Sequence, residues 1–342
     1  MATTPNWGII GHDWAVELLQ QHIATGQVRH AYLLTGPQGV GRRTLALAFA
    51  QALNCPQPPA AGQPCQACYT CNRIQNMVYP DLSLVQAELQ GGVLKVDQIR
   101  SLQRSLALAP YEGRFRVALL LRFEEAHISA QNALLKTLEE PNSKVILVVT
   151  AADAESLLPT VVSRCEVLRL RPLPLDHATA SLQIQLGLPT QEARELAYIS
   201  NGRPGLAIQL HRDAHFGEER KECLEDLLHL ITAGRVERFG YAYKLVNQDK
   251  IEKGTIRRTL SIWSTFWRDV MLSTAHATTP PTNLDWQPEI EAVAAQLDLS
   301  TAFRLISQNE ETIELTQSNI NLRMVLEVLL LDLPRLPSFA DH

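Results

Sequence analysis

The sequence predicts an α/β domain on a parallel sheet, followed by a small and then a larger all-α domain. The first half alternates short runs rich in Leu, Val and Ile with helical patterns, which is typical of a parallel sheet. The pattern changes at residues 171–174, Arg-Pro-Leu-Pro, and no later segment has the pattern of a strand. We therefore place the domains at residues 1–171, 172–211 and 212–342.

The predicted sheet rests on five short apolar runs, mostly bounded by turn residues, as expected of buried parallel strands. The strands are predicted at Ala31–Thr35, Leu82–Gln86, Arg116–Leu121, Val145–Thr150 and Val167–Leu170. Helices are predicted between them, at Thr44–Leu53, Val96–Leu106 and Ala130–Glu139. The last of these helices has Ser129 as its predicted N-cap, and Pro141 ends it.

The second half has helical patterns only. Two short helices and a third after Gly205 are predicted to form the small domain, and five longer helices the large one. The ranges predicted from periodicity are His177–Leu186, Gln191–Ile199, Arg220–Ile231, Ile256–Leu272, Pro288–Leu297, Thr301–Thr316 and Leu322–Leu333.

Composition excludes several classes of protein. The chain has 342 residues, 46% of them hydrophobic, and a formal net charge of −5, so it is no freestanding nucleic-acid-binding domain with a basic face. It has no run of about 18 apolar residues, which excludes a transmembrane helix. The first ten residues lack the pattern of a signal peptide. We therefore expect a cytoplasmic protein without a membrane partner.

A glycine-rich loop follows the first predicted strand and leads directly into a helix, which is the context of a phosphate-binding loop. Gly36, Gly39 and Gly41 allow backbone amides to turn towards an anion, and the helix N-terminus adds partial positive charge. The loop departs from the usual pattern, because Arg42 and Arg43 stand where lysine and then serine or threonine are expected.

These two arginines weaken the case for an ATPase. Arginine attracts phosphate, but its planar fork does not reproduce a compact ammonium group. The hydroxyl that normally holds Mg²⁺ is missing at position 43, and Thr44 lies about 100° further round the helix. The pattern favours weak binding of ATP, ADP or phosphate without efficient hydrolysis. A glycine-rich turn without a ligand and a competent ATPase are the alternatives.

The acidic half of such a site is displaced as well. A nucleotide-hydrolysing motor needs an Asp-Glu pair at the end of the third strand, to hold Mg²⁺ and the attacking water. Leu121 and Arg122 occupy that place, and Glu124 and Glu125 follow two to three residues late. Both halves of the site therefore predict weak or absent hydrolysis.

Four of the six cysteines, Cys55, Cys65, Cys68 and Cys71, lie close together in the sequence. Four thiolates can complete a tetrahedral structural zinc site, and in a cytosolic chain such clustering favours a metal over disulfides. We predict one structural zinc ion per chain, bound by an insert at residues 55–71. Unconnected thiols, disulfides and a redox role for the Cys68-x-x-Cys71 pair are the alternatives.

Several motifs together resemble the bacterial clamp loader family. They are Ser163-Arg164-Cys165 after Leu157-Leu158-Pro159-Thr160, the segment Asn132–Pro141, the four-cysteine insert after a phosphate loop, and Asn319–Leu322 before the last helix. The resemblance covers essentially the whole chain. It implies an AAA+ fold, that is, a P-loop NTPase-like α/β domain with a RecA-like parallel sheet. It also implies a helical lid at residues 172–211 and a helical collar at 212–342 that joins subunits into a ring.

The resemblance implies a role for Arg164 in particular. In this family an arginine at that position acts in trans, on the ATP held by a neighbouring motor subunit. Arginine suits this task because its planar, permanently charged donors match a phosphoryl group that gains charge in the transition state. A salt bridge to a surface carboxylate is the alternative. Cys165 is expected to be a packed thiol rather than a nucleophile.

Departures from the motor pattern predict the kind of subunit. A motor lid has an arginine about three residues after Gly202, where this chain has Gly205, and Arg203 is out of register. The resemblance therefore implies a non-hydrolysing, delta-prime-like subunit, and a gamma/tau-like motor is the alternative. The expected partners are gamma/tau and delta subunits, with the sliding clamp and primer–template DNA reached through the assembly. A zinc-dependent interaction protein outside replication is a further alternative.

Overall fold

The computed structural model describes residues 6–89, 91–247, 253–316 and 320–337. The chain divides into two compact units, residues 1–187 with 202–206, and residues 188–201 with 207–342. The predicted division into α/β, lid and collar domains stays a prediction. Asn319 of the last quoted motif lies outside the described residues.

The first unit contains a five-stranded parallel sheet. Its strands are β1 Ala31–Thr35, β2 Leu82–Val85, β3 Arg116–Leu120, β4 Val145–Ala151 and β5 Glu166–Arg169. Their order across the sheet is β2-β3-β4-β1-β5, and every pair is parallel. The predicted parallel sheet is confirmed, with strand ends that differ from the predicted ones by one residue at most.

Seven helices of the first unit flank or follow these strands. They are α1 Asp13–Ala24, α2 Arg42–Asn54, α3 Tyr69–Gln75, α4 Val96–Leu106, α5 Ile128–Glu139, α6 Pro159–Val162 and α7 Leu175–Leu186. The predicted N-cap of α5 is wrong. His127, in an extended conformation, precedes the helix, and its ring nitrogen accepts a hydrogen bond from the Ser129 amide, so Ser129 already lies inside the first turn.

Both faces of the sheet are buried at its central strands β1, β3 and β4. All five residues of β1 are buried, and successive side chains of a strand point to opposite faces. Tyr32 and Leu34 belong to a core shared with α1 and α2, whereas Ala31 and Leu33 belong to a second core shared with α4 and α5. Because helices cover both faces of the sheet, a ligand can reach it at the ends of the strands, where ligands of parallel sheets bind.

The second unit consists of helices in its described part. The element α9 Pro204–Arg212 spans the division between the units, and the others are α8 Thr190–Ile199, α10 Ala214–Thr232, α11 Arg235–Asn247, α12 Lys253–Thr274, α13 Gln287–Ala294, α14 Leu299–Leu315 and α15 Leu322–Asp332. Trp263, Phe266 and Trp267 of α12 are fully buried at its centre. Among the described residues of the whole chain, no helix is long and apolar enough to cross a bilayer.

Arg238 ties the helix ends of this unit together. Its side chain is buried and donates to the carbonyl oxygens of Leu230, Leu330, Leu333 and Pro334, at 2.7–3.0 Å. Burial lowers the pKa of the Arg238 guanidinium. The last carbonyls of a helix have no partner within the helix, so one arginine satisfies the ends of α10 and α15.

Candidate functional site: a phosphate loop, a cysteine cluster and an exposed arginine

The phosphate loop has the backbone that the glycines predict. Strand β1 leads through residues 36–41 into α2, and Gly36, Gly39 and Gly41 all have positive φ angles, of 143°, 84° and 114°. A Cβ atom on Gly36 would overlap the carbonyl oxygen of Leu170. The loop is therefore built for glycine, and its geometry persists although its lysine is absent.

Arg42, the first residue of α2, faces an acid of the same unit. Its Nη1 atom lies 4.0 Å from Oε1 of Glu124, in the 3₁₀ turn Phe123–Glu125 after β3. The two side chains are only 10% and 24% exposed. Burial lowers the pKa of Arg42 and raises the pKa of Glu124, although each charge partly opposes the shift of the other. The displaced acid thus neutralises the arginine that stands at the lysine position.

The other two predicted loop residues point elsewhere. Arg43 and Thr44 are exposed, and Arg43 donates from Nη2 to the Met77 sulfur at 3.1 Å. Neither side chain joins the pair formed by Arg42 and Glu124. Of the six predicted phosphate-loop residues, the three glycines and Arg42 line the loop, whereas Arg43 and Thr44 do not.

The second displaced acid is also engaged within the chain. Oε1 of Glu125 accepts hydrogen bonds from Arg122 Nε at 3.0 Å and from the Gly91 amide at 2.9 Å. The Arg122 amide in turn donates to Thr150 Oγ1, at the end of β4. Arg122, at one of the positions that would hold Mg²⁺ and the attacking water in a motor, is therefore bound to Glu125 and Thr150 instead.

A backbone contact closes the phosphate loop from the side of α9. The Gly205 amide donates to the carbonyl oxygen of Gly39 at 2.8 Å, and both residues belong to the first unit. A Cβ on Gly205 would lie 2.8 Å from that same oxygen. The ring Nε2 of His12 lies 2.9 Å from the Val40 carbonyl. No side chain longer than hydrogen fits at position 205 while this contact is kept.

The four predicted cysteines come together. Their sulfur atoms all lie within 4.8 Å of one another, and those of Cys65 and Cys71 are 3.9 Å apart. A tetrahedron with Zn–S bonds of about 2.3 Å places its sulfurs about 3.8 Å apart. Four sulfur ligands at this spacing could hold a metal ion, and the donor set fits a soft or borderline one.

Backbone amides support the sulfur atoms. The amides of Cys65, Cys68 and Cys71 donate to the sulfurs of Cys55, Cys65 and Cys68, at 3.3–3.4 Å. The amides of Ala67 and Cys68 lower the pKa of Cys65 to about 6, whereas burial raises the pKa of Cys55 and of Cys71.

The cysteine insert is fastened to the α/β core. The buried Gln51 of α2 donates to the Cys71 carbonyl at 2.9 Å, and the buried Trp7 donates from its indole nitrogen to the Gly62 carbonyl at 3.0 Å. The cluster therefore lies on a rigid support rather than on a free loop.

Arg164 lies at the surface directly after α6. Its guanidinium forms an ion pair with the exposed Glu139 at the end of α5, with Nη2 and Oε1 2.9 Å apart, so the salt bridge to a surface carboxylate predicted as the alternative is present. Its Nη1 donates to the Thr160 carbonyl, also at 2.9 Å. The side chain remains 36% exposed. Burial raises the pKa of the neighbouring Cys165 to about 12, which agrees with the prediction of a packed thiol.

Sequence patterns do not indicate the partners of these residues. The pairing of Arg42 with Glu124, the contact of Gly205 with Gly39 and the ion pair of Arg164 with Glu139 all join residues far apart in the chain. The sequence shows that Arg42 replaces a lysine and that Glu124 comes two to three positions late, but not that these two residues pair.

Comparison with known proteins gives a consistent family. The family described as "DNA polymerase III, delta subunit" matches residues 11–174. A DNA polymerase III subunit delta' of Pseudomonas aeruginosa is 36% identical over 224 residues, which are 64% of this chain and 67% of the relative. The subunit delta' of Bacillus subtilis is 30% identical over 262 residues, or 75% and 76%. A subunit tau of Salmonella typhimurium is 31% identical over 202 residues, or 58% of this chain and 30% of the relative.

The fold and the relatives agree. The parallel sheet with a glycine-rich loop between β1 and α2, followed by helices, confirms the predicted AAA+ type of fold. Two delta' relatives match over a larger share of their length than the tau relative does, so the motor alternative is not the better one. The chain belongs to the DNA polymerase III clamp loader family, in which it is a delta-prime-like subunit.

Proposed function

We propose that this chain is a non-hydrolysing clamp loader subunit that completes the ATP site of a neighbouring motor subunit with Arg164. The observation that carries the proposal is the Arg42–Glu124 pair. In a motor, the cation of the loop is kept for the phosphates of ATP and the acid for Mg²⁺. Here the charges of Arg42 and Glu124 pair with each other, within the first unit.

Arg164 differs from Arg42 in being accessible. Its guanidinium has five N–H donors, of which Nη2 serves Glu139 and Nη1 serves Thr160. The side chain as a whole remains 36% exposed. A trans arginine of this kind is worth about 10³–10⁵ in rate where it is the main charge stabiliser. The chain therefore lacks the means to hydrolyse ATP itself but retains a group that acts on a neighbour.

ATP or ADP binding by the chain itself is proposed to be weak. The glycine loop still offers backbone amides at a helix N-terminus, but Arg42 is neutralised and Gly205 closes the loop on one side. We expect the isolated chain to hydrolyse ATP no faster than background. A turnover above about 1 s⁻¹, the low end of ordinary enzyme rates, would favour the gamma/tau-like motor instead.

The cysteine cluster is proposed to bind one structural zinc ion. Zinc takes four thiolates in closed structural sites, and Cys55, Cys65, Cys68 and Cys71 supply four sulfurs at suitable spacing. Such a site leaves no open position for a substrate, so we assign it to the stability of the insert and not to chemistry.

The proposed partners follow from the relatives. Gamma/tau and delta subunits would surround this chain, and the sliding clamp and primer–template DNA would be reached through the assembly. We propose that residues 212–342 act as the collar that joins the subunits and that residues 172–211 act as the lid. The proposed assembly is supported by the names of the relatives as polymerase III subunits, and the lid and collar roles by the resemblance of the sequence motifs.

The test is Arg164→Ala in assembled clamp loader complexes. Because the side chain lies at the surface, folding, metal content and assembly are expected to stay near normal, while DNA-stimulated ATP hydrolysis and clamp loading fall. Arg169→Ala is the matched control, since Arg169 is a nearby arginine, 66% exposed and paired with Glu155 at 3.8 Å. Arg164→Lys should rescue poorly, because a point charge does not reproduce the fork. Equal rates for wild type and Arg164→Ala in fully assembled complexes would refute the proposal.

A further inference from the structure

The carboxylate of Glu139 holds the guanidinium of Arg164, and the two residues lie in two separate motifs of the sequence, Asn132–Pro141 and Ser163-Arg164-Cys165. Glu139 is the last residue of α5, and its Oε1 lies 2.9 Å from Arg164 Nη2. Nη1 of the same guanidinium donates to the Thr160 carbonyl at 2.9 Å and lies 3.5 Å from Ser163 Oγ. Two different nitrogens are thus fixed at once, which sets the plane of the group as well as its location.

The segment that carries Arg164 is attached to α5 at two points. At the start of the segment, Oε1 of the buried Gln131 accepts the Leu158 amide at 2.8 Å, and its Nε2 donates to the Ala126 carbonyl at 3.2 Å. At the end of the segment, Glu139 holds Arg164. Gln131 and Glu139 lie near opposite ends of one helix, so α5 determines where the arginine lies.

The exposure of the Glu139–Arg164 ion pair indicates a role in ordering the arginine rather than in stabilising the fold. Glu139 is 51% exposed and Arg164 is 36% exposed, and ion pairs at such surfaces contribute little to folding stability. A free arginine side chain, by contrast, has many rotamers, and ordering it at the moment of catalysis carries a large entropic cost. The pair meets part of this cost before the neighbouring subunit binds, because it orders the side chain in advance.

We propose that Glu139 is a positioning residue, which holds the Arg164 guanidinium in the orientation that the ATP site of the adjacent subunit requires. This inference rests on the proposed function, since it needs Arg164 to act in trans. Glu139 does not itself contact the nucleotide in this proposal. Its effect is confined to the rate with which the arginine-dependent site turns over.

The experiment compares assembled complexes that differ at one or two positions of this chain. The quantity measured is the arginine-dependent part of DNA-stimulated kcat, that is, the wild-type value minus that of Arg164→Ala. Glu139→Ala is expected to lower this part about tenfold, the size of the rotamer freedom that a long side chain regains when released, with KM for ATP unchanged. Glu139→Gln should retain part of the rate, because its amide oxygen still accepts a hydrogen bond from the guanidinium.

Two further variants test whether Glu139 acts through Arg164. The double variant Glu139→Ala/Arg164→Ala is expected to match Arg164→Ala alone, because no arginine remains to be positioned. Glu140→Ala is the matched control, since Glu140 is the next residue, carries the same charge and is also exposed. It should behave as wild type. Assembly of every complex is checked by gel filtration before the rates are measured.

The outcomes separate the two proposals. If Arg164→Ala matches wild type, the trans role itself is wrong, and the inference about Glu139 is overturned with it. If Arg164→Ala lowers the rate and Glu139→Ala does not, the proposed function stands and the positioning role is overturned. A double variant slower than Arg164→Ala would show that Glu139 acts independently of the arginine, which also contradicts the inference.

Discussion

Glu124→Gln is expected to open the phosphate loop to anions without destabilising the fold. Glu124 is the acid that neutralises Arg42 at 4.0 Å, and both groups are largely buried. Nη1 of Arg42 and Oε2 of Glu124 are buried without a hydrogen-bond partner. The pair is therefore a charge contact without direct hydrogen bonding, and an amide at position 124 removes the charge while keeping the shape.

The size of the effect follows from the distance. Two unit charges 4.0 Å apart attract each other by about 4 kcal/mol at an effective dielectric constant of about 20. Water that reaches the partly exposed carboxylate reduces this value, and a bound nucleotide recovers only part of it. We expect a gain of about 1–2 kcal/mol in nucleotide binding, which corresponds to an affinity roughly tenfold higher.

Glu124→Gln is not expected to destabilise the chain, unlike most substitutions that remove one partner of a buried ion pair. Removing one partner of a buried pair usually costs about 3–5 kcal/mol. Here burial raises the pKa of Glu124 in spite of Arg42, so the ionised carboxylate opposes folding at neutral pH. The stability that this group contributes is fully present below its unfolded pKa and is lost as pH rises through its folded pKa. Glu124→Gln should therefore be as stable as wild type or slightly more so at pH 7, and this difference should shrink as the pH falls towards 4.

The assay is titration of the isolated chain with a fluorescent ATP analogue, followed by urea unfolding at several pH values. Glu125→Gln is the matched control, because the adjacent Glu125 accepts hydrogen bonds from Arg122 and Gly91 instead. Adding Arg42→Ala to Glu124→Gln should abolish the gain. Unchanged nucleotide affinity in Glu124→Gln would refute the conclusion that this acid masks Arg42.

Three further substitutions test the rest of the structure. Purified wild type should carry one zinc ion by metal analysis, and Cys68→Ser should lower both zinc content and stability; well under one equivalent in fresh protein would contradict the site. Asp81→Asn should lower the free energy of unfolding by about 2 kcal/mol at pH 7. Burial raises the pKa of Asp81, but hydrogen bonds from three backbone amides and an arginine outweigh burial and lower it, so this loss should vanish as pH falls through the folded pKa. Arg238→Ala should cost about 3 kcal/mol or more in urea unfolding, because it leaves four helix-end carbonyls unpaired, whereas Arg235→Ala at an exposed position of the same helix should be near neutral.

The sheet could be predicted from sequence because its central strands β1, β3 and β4 are buried on both faces and are therefore mainly apolar runs. The helices that escaped prediction lack the usual signals. Helix α1 begins after His12, which has a left-handed φ of 60° and no side-chain cap, so no Ser, Thr, Asp or Asn marks its start. Helix α11 begins with the Gly234 amide bound by Glu237 Oε2, a reversed arrangement that a search for N-caps does not detect.

The candidate site was predictable to the extent that its residues are neighbours in the chain. The four cysteines fall within residues 55–71, and short spacings bring their sulfurs together through tight turns. The loss of lysine at Arg42 and the delay of Glu124 are each visible as local departures from a pattern. That these two departures neutralise each other depends on the start of α2 lying close to the 3₁₀ turn after β3, which no local pattern encodes.

Repairing the phosphate loop alone is not expected to produce hydrolysis, and Gly205 is one reason for this expectation. Lysine at position 42 and threonine at 43 would restore the loop chemistry, but the resemblance to motor subunits also implies an arginine where this chain has Gly205. The Gly205 amide is bonded to the Gly39 carbonyl at 2.8 Å, and even a Cβ would lie 2.8 Å from that oxygen. An arginine therefore requires the backbone at residue 205 to move off the loop, while Leu121 and Arg122 would still leave Mg²⁺ without its acids. Because the defects lie on three separate elements and each is held by its own contacts, restoring any one of them should improve nucleotide binding at most and leave hydrolysis absent.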